Sequence, residues 1–125
     1  AARPAPEELK VLAEGCDLLV IPTSPDSLSI GATLQMIGVL SNLRTQYKIL
    51  LTIVPPKPNA VGEEARQAIA GAGLPLFSSG IRRLAVFGKA AAMGVLVSDV
   101  PGDRYAGIAW DCYRQVGREI EHDAV

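Results

Sequence analysis

Apolar positions along this chain alternate between a helical rhythm and short unbroken runs. Over residues 7–14, Leu9, Leu12 and Ala13 share one helical face, and Gly15 supplies a stop. The run Asp17-Leu-Leu-Val-Ile21 then stays apolar until Pro22, which predicts a strand buried on both faces. In the loop Thr23-Ser-Pro-Asp-Ser27 several side chains can cap a helix, and Leu28, Leu34, Ile37, Leu40 and Leu43 carry that helix toward Arg44. A second buried strand over residues 47–54 ends in Pro55-Pro56-Lys57-Pro58, where missing amide donors stop a ladder. An amphipathic helix over residues 63–70 is broken by Gly71-Ala-Gly73, and residues 74–77 form a short third strand. Beyond Ser78-Ser-Gly80 come Ile81-Arg-Arg83, a short helix over residues 84–93 ended by Gly94, the apolar segment 95–97, and a helix over residues 104–121. The last helix carries a stripe of Tyr105, Ile108, Ala109, Cys112, Val116 and Ile120, ordinary core packing.

Strands alternating with helices predict an α/β fold: a parallel sheet with right-handed crossovers and helices on both faces, three layers in all. The 125 residues, 49% apolar and 20% charged, suit one globular domain with a core large enough to form without metals or disulfides. No repeat, low-complexity tract or linker divides it. Cys16 and Cys112 are too few for a secreted disulfide framework, so a reducing cytoplasm is expected. The longest apolar runs are strand-sized, far below the roughly 20 residues of a membrane span. No basic, apolar-cored leader precedes Ala1, and the missing initiator Met points to processing or excision from something longer.

Net charge is −1, but the charge is segregated. Residues 1–26 and 99–125 each carry −3, whereas residues 27–98 hold seven bases and only Glu63 and Glu64 as acids. The middle of the chain can therefore present a basic face to an anionic partner.

In open parallel sheets ligands bind beyond the carboxyl ends of the strands, which directs attention to residues 22–26, 52–59 and 78–83. No catalytic set lies there. His122 is the only histidine and falls in a polar tail, which excludes a His-based triad or a metal cluster. Asp17 reads as the start of a strand, Glu63 and Glu64 as partners of a helix dipole, and both cysteines as buried packing. Trp110 reads as helix-surface packing or an interface anchor. The proline segment 55–58 forms either a rigid strand exit or a stiff wall for a flat ring.

Bases placed just before helices carry more information. Arg82 and Arg83 precede the helix at Leu84, and Arg104 opens the last one, although the positive end of a helix dipole disfavours a cation by about 0.3–1 kcal/mol. A phosphate resolves the conflict, because free amides and guanidinium groups both prefer an anion. Lys89 extends the same patch. Aromatic residues are not interleaved with these bases in the sequence, which favours backbone contact over base reading.

The order Gly15-Cys-Asp17-Leu-Leu-Val-Ile-Pro22, Lys48-Ile-Leu-Leu-Thr-Ile-Val-Pro55, Ile81-Arg-Arg83, Lys89-Ala90, Gly94 and Arg104-Tyr-Ala106, preceded by Arg3-Pro4, resembles the carboxyl-terminal portion of a ParA-type partition ATPase. That group includes the MinD-like deviant P-loop NTPases. The resemblance covers nearly the whole chain and implies the carboxyl-terminal part of a P-loop NTPase fold. The family's glycine-rich phosphate loop, its two lysines and its magnesium-supporting Asp are not among these residues; the Asp would fall just upstream of Ala1. ATP hydrolysis is therefore expected of an intact parent and not of this chain alone.

The resemblance further implies a parent that binds ATP with Mg, closes as a homodimer, grips duplex DNA without sequence preference, and is released by a centromere-binding ParB-like partner. It implies a cytoplasmic, nucleoid-associated bacterial protein with no membrane role. DNA contacts transfer onto Arg83 and Arg104, with Arg82 and Lys89 beside them; Val86 stands where some relatives carry an Arg. Thr52, Val54 and Pro55 match the adenine-side wall of the nucleotide site.

Three other readings compete. A MinD-like membrane ATPase needs a basic amphipathic tail, but this tail is acidic. A phosphoacceptor receiver needs acids at strand ends, where Pro22, Val54 and Phe77 stand instead. A nonenzymatic α/β interaction module uses the same scaffold. Absence of the first strands predicts an exposed apolar edge and self-association.

Overall fold

The computed structural model describes residues 6–123, so Arg3 and Pro4 lie outside the described residues. The elements run α1 (Pro6–Glu14), β1 (Leu19–Thr23), α2 (Ser27–Leu40), β2 (Tyr47–Leu51), α3 (Val61–Gly71), α4 (Ala85–Met93), a 3-10 turn (Val97–Asp99) and α5 (Ala106–Asp123). Among the described residues this is an α/β protein with five helices and a small parallel sheet of two strands.

Local chemistry fixes where each element starts and stops. Asp26 caps α2: its Oδ1 accepts the Ser29 amide at 2.8 Å, and its Oδ2 accepts the Ser24 and Ser29 hydroxyls at 2.6 and 2.8 Å. Those bonds, the Ser24 hydroxyl's first, hold the Asp26 carboxyl down at about 2. The helix ends at Leu40 rather than at Arg44, because Ser41 turns its hydroxyl back onto the Gly38 carbonyl (2.8 Å) and residues 41–44 form turns. α4 stops at Gly94, which takes the left-handed conformation (φ 68°) that a side chain disfavours. Asp17 lies in the bend before β1 and does not open the strand.

β1 and β2 pair in parallel, Leu19 opposite Tyr47 through Thr23 opposite Leu51, with α2 as the crossover. Leu19 N donates to Gln46 O, and Thr23 O accepts from Thr52 N, both at 2.9 Å, so the odd positions of β1 face β2. Pro22, which has no N–H, thus faces the outer edge of β1. That edge has no strand partner among the described residues.

The expected third strand at residues 74–77 is reduced to a single parallel bridge between Leu76 and Ile49. Pro75 lacks a donor, and only its carbonyl takes part, accepting from Ile49 N at 2.9 Å. The expected second strand also stops short, at Leu51. Ile53 sits at φ 54°, a conformation that costs a residue with a Cβ roughly 1–2 kcal/mol. Pairing resumes beyond it, where Val54 N donates to Ile81 O and Arg83 N donates to Val54 O, at 3.0 and 2.9 Å.

Alternation along β2 sends its side chains to different helices. Ile49 and Leu51, both fully buried, pack with Leu9 and Ala13 of α1, Ile37 and Leu40 of α2, and Ala65 and Ile69 of α3. Leu50 packs with Phe77, Ile81, and Cys112 and Val116 of α5. A further cluster of Val86, Ala90, Val97, Val100, Ala106 and Ala109 ties α4 to α5 through the 3-10 turn. α3 lies so close to the exit of β2 that a Cβ on Gly62 would come within 2.6 Å of Val54 Cγ1. No described helix is long and apolar enough to cross a membrane.

Candidate functional site

The segment Ile81-Arg-Arg83 is laid along the exit of β2 by the bridge between Val54 and Arg82. Ile81 is buried as the anchor, while Arg82 and Arg83 are exposed. Leu84 then caps α4 with extended backbone and no side-chain hydrogen bond, and the first turn holds no acid. A helix start that no side chain caps therefore follows directly on two arginines. Neither Arg82 nor Arg83 has a carboxylate partner among the described residues.

Upstream, the loop leading to these arginines is pinned by Glu119 of α5. Its Oε2 accepts Ser78 N at 3.0 Å and its Oε1 accepts Ser79 N at 2.6 Å. Burial raises the Glu119 carboxyl, but the bonds from Ser79 and Ser78 and the charge of Lys48 outweigh it and leave the group below its ordinary range. Lys48 also pairs with Asp123 and lies 4.8 Å from the ring of fully buried Phe77, which ties the end of α5 to β2.

Lys89 and Arg104 are in different circumstances. Lys89 Nζ bonds Asp103 Oδ2 at 2.8 Å, and Asp103 Oδ1 accepts the Tyr105 amide at 2.9 Å. The Lys89 bond, then the Tyr105 amide, with the charges of Lys89 and Arg104 adding to them, draws Asp103 below its ordinary range. Arg104 does not open α5 but precedes it by two residues; it stacks 4.8 Å from the Tyr105 ring and donates to that hydroxyl at 2.7 Å. The charge of Lys89 is thus matched within the chain. Asp103 was not singled out from sequence, since its partner is 14 residues away, although an acid just before a helix is a common capping signal.

The three expected nucleotide-wall residues do not line one surface. Val54 and Pro55 line a cleft of about 760 Å³ with Pro56, Pro58, Gly62 and Arg66. Thr52 lines another, of about 390 Å³, with Pro22, Leu50, Ile53, Ile81, Arg83, Leu84, Phe87 and Tyr113. Arg82 reaches both. Arg66, another base absent from the sequence reading, donates from Nη1 to the Phe77 carbonyl at 2.8 Å.

The remaining candidates are placed as follows. Cys112 is buried as expected, but Cys16 is exposed, its Sγ directed at the Ala13 carbonyl at 3.7 Å. Glu63 and Glu64 occupy the first turn of α3, where its dipole favours them. His122 is exposed in the last turn of α5, and among the described residues no group of three or more His, Cys, Asp or Glu is arranged to hold a metal. No protein-family model matches the sequence, and no curated protein matches it.

Proposed function

We propose that this chain is the carboxyl-terminal portion of a ParA-type partition ATPase domain, a three-layer P-loop NTPase fold that grips duplex DNA by its phosphates. The observation that carries this reading is the pair Arg82 and Arg83, without carboxylate partners, beside the uncapped start of α4 at a strand exit. Arg104, two residues before α5, joins them, and Lys89 of α4 stands in reserve with its charge held by Asp103. The 125 residues contain no glycine-rich phosphate loop, so binding of ATP with Mg and hydrolysis of the ATP belong to a parent that supplies it. Val54 and Pro55, which share the larger cleft, would then flank the base of that nucleotide, whereas Thr52 lines the other cleft.

The reading also includes a homodimer, a centromere-binding ParB-like partner and a place on the bacterial nucleoid. One feature supports self-association independently. None of the 14 residues of α2 is charged, Leu28, Leu34 and Val39 are exposed along it, and the helix packs against β1. Light scattering at rising concentration should report a dimer or larger species, whereas a clean monomer throughout would remove this part.

The DNA reading is tested by titrating salt. Three or four phosphate contacts give a slope of log affinity against log salt near −3, roughly −0.9 per contact. An α/β module that meets only protein would show no DNA affinity to titrate.

A further inference from the structure

We propose that the cleft at the exit of β2 receives an unpaired nucleobase, so that DNA held by Arg82 and Arg83 is preferred where its strands are open. The inference rests on the phosphate reading of those two arginines and goes beyond it. The structure brings together what the sequence keeps apart: Phe87 from α4 and Tyr113 from α5 stand edge to face, with ring centroids 5.7 Å apart and planes at 86°. That contact orients the Tyr113 ring, yet 48% of the residue stays exposed and its hydroxyl has no partner among the described residues. Leu50, Ile81 and Leu84 supply an apolar floor, and Arg82 and Arg83 line the same cleft.

Charge complementarity identifies the occupant. Among the described residues no acid lines the cleft, and the two guanidinium groups that do have no carboxylate partner. An occupant must therefore offer an anion to the arginines and an apolar, flat body to the aromatic pair. A nucleotide within a strand offers both, because every base has a π face and every linkage a phosphate. The volume of about 390 Å³ falls within the roughly 300–1,000 Å³ of small-ligand clefts. A duplex cannot fill it, since its bases are stacked inside the helix. Ile53 marks the same place: a branched residue held at positive φ, 57% exposed and lining the cleft, is backbone strain of the kind found at ligand clamps.

The test is fluorescence anisotropy with three labelled probes: a thymidine oligomer of about 20 nucleotides, an abasic strand of equal length, and a duplex. The thymidine strand should bind more tightly than the abasic one. Tyr113→Ala should weaken the thymidine strand by about 5- to 150-fold, leaving the abasic strand and the duplex unchanged, and Tyr113→Phe should stay within about twofold of the parent. Circular dichroism checks folding, and Tyr113→Leu, which keeps bulk without a π face, should show the same loss if the alanine variant unfolds. Equal binding of thymidine and abasic strands, or a folded Tyr113→Ala or Tyr113→Leu protein with full thymidine-strand affinity, overturns the base pocket while leaving the phosphate reading intact. Displacement of the strand by an equimolar free mononucleotide also overturns it, in favour of a small-molecule site. Failure of all three probes to bind removes the phosphate reading and the base pocket together.

Discussion

Arg82 and Arg83 precede α4, whereas Lys89 lies on it and Arg104 comes after it, and the surroundings of the two pairs are opposite. Before the helix, Arg82 and Arg83 have no carboxylate partner among the described residues and lie next to a helix start that no side chain caps. Farther along the chain, Lys89 of α4 is bound to Asp103, and Arg104, two residues before α5, lies across the Tyr105 ring. The first pair keeps its charge available to an external anion, whereas the second uses much of its charge to hold the turn before α5. Formal charge alone would have ranked the four equally. Which groups already satisfy them decides which can meet a phosphate.

The cores beneath the two pairs are also distinct, and this gives the largest expected effect. Phe77 is fully buried with Leu50 and Ile81 under the arginine pair, whereas Val86, Ala90 and Val97 lie under the other. Phe77→Ala should cost about 3–5 kcal/mol in urea unfolding, since a large aromatic leaves a cavity its neighbours fill only in part. A loss below about 1 kcal/mol would mean the sheet exit is not supported as described.

The comparison sharpens at Asp103. Asp103→Asn removes the charge that occupies Lys89, so the lysine becomes available to DNA and the salt slope should steepen by about one. An unchanged slope would show that Lys89 faces away from any bound strand. A smaller and broader effect concerns acid. Asp26, Asp103, Glu119 and Asp123 all titrate below their ordinary values of 3.8 for Asp and 4.5 for Glu. Protonation therefore favours the unfolded chain, and their stabilisation is complete above those ordinary values and drains away as pH falls toward the Asp26 value of about 2. Urea midpoints should fall over that interval, and Asp26→Asn should flatten the lower part of the decline.

Much of this architecture was legible because its signals are local. The apolar run before Pro22, the loop of capping side chains from which Asp26 is the one used, and the stop at Gly94 each act within a few residues, although β1 runs on through Pro22 to Thr23. The third strand was overestimated because four residues that include Pro75 read as apolar but can offer too few donors for a ladder. Arg82 and Arg83 were visible as cations in an electrostatically unfavourable place. Tyr113 was not, because it follows Cys112 by one position and so falls off the buried stripe, about 100° around the helix. Its contact with Phe87, like that of Lys89 with Asp103, is made only when α4 and α5 pack together, and no spacing along the chain encodes it.

The salt dependence of duplex binding in two variants tests most directly whether the arginine pair meets the phosphates. Arg82→Ala/Arg83→Ala should flatten the slope by about two units, from near −3 to near −1, and Lys89→Ala should change it by less than about half a unit. Equal slopes for the arginine double variant and the parent, or a lysine variant that flattens as much as the double, would contradict it.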